Sequence, residues 1–188
     1  SRFFKIFILG LLSAIGPFSI DMYLPGFTNI ASDLNTDVSK VSLTLSSFFI
    51  GISVGQLLYG PLLDKYGRKK PLYFGLCLYL FASLGCAYAT SVQYLIVLRF
   101  LQALGGCAGM VASRAMVRDM FDVEDNAKVF SLLMLVIGVS PIIAPSLGGF
   151  VTASLGWRYV FGVLLLIGLF ILVLCVFKLP ESKQPAKD

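Results

Sequence analysis

The sequence predicts an all-α membrane protein of six transmembrane helices, and three observations predict it. Of the 188 residues 57% are hydrophobic and only 13% are charged, too few to clothe a soluble domain. The apolar residues gather into six runs, each near the ~20 residues that cross a hydrocarbon core. Nearly all the cations fall in the gaps between alternate runs.

The first run spans about 3–30. Pro17 and Pro25 bracket Asp21, with Gly16 and Gly26 beside them, so the helix is expected to kink or unwind there. The second run, about 41–63, carries Gly51, Gly55 and Gly60 at packing spacing, and Gln56 is its strongly polar interior residue. The third, 71–89, opens at Pro71. The fourth, 92–117, holds Gly105, Gly106, Ala108, Gly109 and Ala112, small enough for close helix approach. In the fifth, 127–155, Pro141 and Pro145 remove two backbone donors and bend the helix. With Gly138, Gly148 and Gly149 they form a candidate hinge and seal. Asp122, Glu124 and Asp125 precede this span and suit a positive helix N-terminus. The sixth run covers 157–177, and Trp157, Arg158 and Tyr159 at its start suit an interfacial anchor. Residues 1–178 thus form one bundle, and the hydrophilic stretch 179–188 reads as the start of a cytoplasmic linker.

Alternation of the spans sorts the charge. Arg2, Lys5, Lys65, Arg68, Lys69, Lys70, Arg114, Arg118, Lys128, Lys178, Lys183 and Lys187 fall on one side, twelve of the fifteen cations. Lys40 and Arg158 fall on the other, and Arg99 lies within a span. The positive-inside rule makes both termini cytoplasmic. The net charge of +5 is therefore a topological property and no nucleic-acid footprint; the partner it implies is a lipid bilayer. Cys77, Cys86, Cys107 and Cys175 lie inside apolar runs without CxxC spacing, and the chain has no histidine, so neither a metal site nor a disulfide is expected. The first apolar run has no small-residue cleavage site after it and is expected to remain as a span. A start at Ser1 and a stop within the tail predict a piece of a longer protein.

Two ionisable residues lie deep within spans, where insertion costs at least ~2.5–3.5 kcal/mol. Asp21 comes roughly 27 Å along the first helix from the inner side, and Arg99 about 10 Å in from the outer side of the fourth. Their depths match. Two readings follow: a charge pair that locks the two helices together, or a titratable carboxylate whose proton affinity depends on Arg99. Phe18, Met22 and Tyr23 are predicted to line a mostly apolar pocket beside the acid. Gln102 shares a face with Arg99 and serves either a neighbouring helix or a substrate. Between the second and third spans, Asp64 and Arg68 sit four apart in a basic turn, and with Arg118 and Asp119 they are expected to form an inner charge network.

The turn Gly60-x-x-x-Asp64-x-x-Gly67-Arg68-Lys69 resembles the loop between the second and third helices of the major facilitator superfamily. Asp21-Met22-Tyr23-Leu24-Pro25, taken with Ser140-Pro141-x-x-Ala144-Pro145-x-x-Gly148-Gly149, resembles the bicyclomycin/chloramphenicol-resistance branch of its drug:proton antiporters. The resemblance covers the whole chain but half of a twelve-helix family member. It implies two inverted three-helix repeats, 3–89 and 92–177, with the first and fourth spans as counterparts. It further implies a secondary transporter and not an enzyme, driven by the proton gradient without a cofactor and exporting small amphipathic drug-like compounds across the bacterial inner membrane. On this likeness Asp21 and Arg99 couple protons, Asp64 and Arg68 belong to the gating loop, and Pro145, Gly148 and Gly149 to the antiporter motif. The partner is a C-terminal six-helix half or a second copy. Ala103 and Ala144 stand where the family often has glycine. An isolated, non-transporting assembly module and a nutrient or amino-acid transporter are the alternatives.

Overall fold

Proline placement decides which span is not a single helix. In the computed structural model, which describes residues 1–184, α1 (Arg2–Asp21) stops at Asp21, a 3-10 turn covers Leu24–Gly26, and α2 (Phe27–Asp33) resumes the span. Pro25 stands four residues after Asp21 and has no N–H to give its carbonyl. The helical ladder lapses here: Met22 N still donates to Phe18 O (3.0 Å), while Gly26 N turns to Tyr23 O (3.1 Å). The carbonyls of Ser19 and Met22 are left without backbone donors. Because the helix restarts at Phe27 and runs past the apolar stretch to Asp33, only the few residues between Asp33 and Val38 connect the first two spans.

The other five spans are single helices: α3 (Val38–Tyr66), α4 (Lys69–Ala87), α5 (Val92–Met120), α6 (Val123–Ser154) and α7 (Trp157–Lys178). All six spans are long and apolar enough to cross a membrane, and the described residues contain no strand. Several helices extend past the apolar runs into polar residues such as Asp119 and Glu124, since helical hydrogen bonding does not stop where hydrophobicity does. α6 stays helical through Pro141 and Pro145. Of the expected linker, residues 179–184 are described below and 185–188 lie outside the described residues.

α3 and α4 pack mainly on α5, α6 packs on α1, and α7 lies against α4 and α1. Each three-helix group thus sends its middle span to the first helix of the other group, the interlock expected of paired repeats. α1 and α5 occupy the middle, α3 and α6 the flanks, and α4 and α7 the back. Small residues allow the close crossings: a Cβ on Gly105 would sit 2.5 Å from both Gly75 O and Tyr79 N. Buried hydroxyls add specific ties, Ser13 to Ser113 (2.8 Å) between α1 and α5, and Ser47 to Ile96 O (2.9 Å) between α3 and α5. Outward faces carry exposed apolar residues such as Leu57, Phe81, Ile142 and Phe177, a surface for lipid or for further protein.

Candidate functional site

The break in the first span is surrounded by the buried polar groups of the bundle. From α5, Arg99 reaches the freed carbonyl of Ser19 with Nη1 (3.3 Å) and donates from the same nitrogen to Gln102 Oε1 (2.8 Å). Arg99 is 0% exposed. Its guanidinium lies over the rings of Phe48 (4.2 Å) and Tyr23 (4.3 Å), with Phe161 at 5.8 Å. Nε and Nη2 have no hydrogen-bond acceptor; the aromatic faces stand in for one. Each such contact is worth about 2 kcal/mol once desolvated. Gln102 passes the network on by donating to Ser83 Oγ of α4 (2.9 Å), and Tyr23 is hydrogen-bonded to Thr44 of α3.

Asp21 departs from the expected pairing. Arg99 meets the backbone two residues earlier, and Asp21 makes no ion pair or side-chain hydrogen bond among the described residues. The reason is azimuthal. Ser19 is 0% exposed and bonds Tyr79 Oη (2.7 Å) inside the bundle, and two residues at about 100° each turn the next such side chain to the opposite face. Asp21 is therefore half-buried at the end of α1.

The predicted pocket beside the acid is also not formed by the residues named for it. The turn after Asp21 swings Met22 and Tyr23 into the core, where they are 0% and 1% exposed. Phe18 instead lines an apolar groove of about 220 Å³ between α1 and α7, beside Ile167 and Phe170. Gln102 is fully buried as the bridge between α5 and α4.

α6 meets the break from the other flank. A Cβ on Gly148 would collide with Met22 O, the second freed carbonyl. No side chain fits there, so Gly148 is the residue that lets α6 lie on the break. Its neighbour Gly149 is looser, with Pro25 Cβ at 3.8 Å. Gly138 and Pro141 lie away from the break on the exposed side of α6, with nothing within 4 Å of a Cβ at Gly138, while Pro145 is half-buried.

A second polar cluster closes the end that holds both termini. Arg68, 7% exposed, donates from Nε to Asp119 Oδ2 (2.7 Å) and from Nη1 to Asp64 Oδ1 (3.1 Å). The hydrogen bond to Asp119, the largest cause, holds the guanidinium's proton affinity above its ordinary range despite partial burial. The tail completes the cluster, which the reading of 179–188 as a linker missed. Leu179 is buried, Glu181 accepts from Arg68 N (2.8 Å) and Lys69 N (3.1 Å), and Lys183 Nζ donates to Asp64 (2.9 Å). Glu181 thereby caps the N-terminus of α4, where orphan amides and the helix dipole favour an anion. Glu181, the first acid after the last apolar run, was the available signal. Gly67 (φ +84°) makes the turn under this tail, a conformation that also lets Lys183 O and Glu181 approach. Arg118 does not join as expected. It is exposed, donates to Arg114 O (3.5 Å), and lines with Gly60 the open side of a recess of about 330 Å³. The four cysteines are free thiols, and no metal-binding group occurs among the described residues.

The family model described as Major Facilitator Superfamily matches residues 7–188. An uncharacterized MFS-type transporter, YdgK, of Bacillus subtilis is 43% identical, covering 94% of this chain and 44% of that protein. A bicyclomycin resistance protein homolog of Haemophilus influenzae is 38% identical over 98% of this chain and 46% of that protein. A chloramphenicol resistance protein of Pseudomonas aeruginosa is 37% identical over 82% of this chain and 36% of that protein. The chain spans less than half the length of these relatives. Among solved structures, the proton:xylose symporter XylE superposes with a TM-score of 0.85 at 17% identity, covering 96% of this chain and 45% of that one, a likeness of fold.

Proposed function

Since the chain belongs to the Major Facilitator Superfamily, a family of transporters and not of enzymes, we propose that it is one half of a proton-coupled exporter of small amphipathic drugs. A second six-helix half, or a second copy, supplies the bundle it rocks against, because alternating access needs two. Its site is the bacterial inner membrane with both termini cytoplasmic, as the sidedness of its cations supports. Residues 1–178 are the bundle and the tail begins the connection to the other half.

The observation that carries this reading is the broken helix at Asp21. Irregular backbone at membrane depth persists only against protein or a water-filled cavity. Here the broken turn lies against protein on three sides: Arg99 on the Ser19 carbonyl, Gly148 on the Met22 carbonyl, and Tyr23 in the core. Asp21 is left as the unpaired acid that a proton, or a drug, meets. We assign the proton to Asp21 and a positioning role to Arg99, whose charge holds the break open. The empty side of α1 completes the substrate cavity with the second half. When Asp21 is protonated, its neutral form crosses between the two access states at low cost; drug arriving from the inner side displaces the proton. The Arg68–Asp64–Asp119 cluster with Glu181 and Lys183 latches the inner ends during one of those states, and Pro141, Pro145 and Gly138 serve α6 as a hinge.

Cells carrying the transporter with both halves test this. Asp21→Asn abolishes proton-driven efflux of bicyclomycin or chloramphenicol, the drugs in the names of its relatives. Efflux retained with an ordinary pH dependence contradicts the assignment.

A further inference from the structure

Behind the bundle, at the end opposite both termini, a groove of about 480 Å³ opens between α4 and α7. Its walls are Leu84, Tyr88, Arg158, Tyr159, Gly162 and Leu165 among others, mostly apolar and without an acid. It lies on a different face from the break at Asp21 and at the other end from the Arg68 cluster.

Arg158 stands at the head of this groove in a fixed orientation. Its Nη1 donates to Ala87 O at the end of α4 (3.0 Å) and to Ala89 O just beyond it (2.7 Å), and its guanidinium lies 4.4 Å from the ring of Trp157. Trp157 is itself tied down: it is 2% exposed, and its Nε1 donates to Asp33 Oδ2 (2.7 Å). Trp157 is therefore not the exposed interfacial ring that the composition of this triplet suggests. The carbonyls carry partial charges only, so among the described residues the cation is held without a counter-charge, and its Nε–H and Nη2–H make no hydrogen bond there. Beside it, a Cβ on Gly162 would meet nothing within 4 Å, so the missing side chain leaves a trough along α7 toward Leu165. Tyr88 and Tyr159, 76% and 57% exposed, flank the mouth with the amphipathic rings that suit headgroup depth.

We propose that this groove binds one anionic phospholipid of the leaflet at that end, its phosphate on Arg158 and one acyl chain along Gly162. Charge complementarity selects the headgroup. A guanidinium presents N–H pairs that match phosphate oxygens, whereas a zwitterionic lipid brings a second cation that no acid of the groove receives. The acyl chain supplies fit and little selectivity, since groove and bilayer are equally apolar.

Native mass spectrometry of the purified protein, titrated with dioleoyl phosphatidylglycerol or dioleoyl phosphatidylcholine, tests this. The first phosphatidylglycerol binds about tenfold tighter than the first phosphatidylcholine, the choline cation held beside Arg158 costing the second lipid about that factor. Arg158→Gln brings the two lipids level. Gly162→Phe leaves Arg158 and its carbonyl partners in place, fills the trough, and also removes the preference; it keeps the test decisive should Arg158→Gln disturb folding at the end of α4. Equal first-lipid affinities in the wild type, or a preference that survives either substitution, overturn the assignment.

Discussion

Arg99 and Arg68 are both buried, yet their partners are of opposite kinds. Arg99 sits among a backbone carbonyl, an amide and aromatic faces, with no carboxylate. Arg68 is held by two carboxylates, one of them well exposed, at the end of the bundle. The difference teaches what each can do. A cation compensated by dipoles and ring quadrupoles in a dry site keeps its charge and position, so it serves as a fixed element around which Asp21 titrates. A cation compensated by carboxylates at the water's edge exchanges them for water at small cost, which is the property of a latch.

The comparison breaks most severely at Arg99. Arg99→Leu leaves Ser19 O and Gln102 Oε1 without their donor, at about 1–3 kcal/mol for each buried unsatisfied group. We expect a loss of about 3 kcal/mol in detergent unfolding, unchanged by salt; a loss as small as that of a surface pair would erase the distinction. Next in size, Gly148→Val forces α6 off the Met22 carbonyl and costs about 1–3 kcal/mol as overpacking. Gly149→Ala, with Pro25 at van der Waals distance, changes thermal unfolding little. Arg68→Gln costs about 1 kcal/mol, and because its partners face water the effect shrinks as ionic strength rises; insensitivity to salt would place Arg68 in the same class as Arg99. Smallest, Glu181→Gln weakens the cap on α4 by about 0.3–1 kcal/mol, read as faster amide exchange at Arg68 and Lys69.

Much of this was legible in the sequence because membrane physics limits the choices. Six apolar runs give six spans, and Pro25 four residues after Asp21 announces the break. Gly148 is legible as a close-approach residue, although not that Met22 O is what it meets. That Asp21 and Arg99 do not pair was not legible, because equal depth along two helices says nothing about azimuth, and Ser19 rather than Asp21 faces inward. Met22 and Tyr23 read as cavity residues because the break is legible in the sequence but the direction in which it turns the following side chains is not; they turn into the core. Glu181 and Lys183 read as linker in the sequence because a hydrophilic tail has no periodicity to show that it folds back.

The most direct measurement is proton release on adding candidate amphipathic drugs to the purified transporter with both halves in detergent, wild type against Asp21→Asn. Release by the wild type and none by the variant is the expected result. Equal release from both would move the proton away from the broken helix and contradict the account.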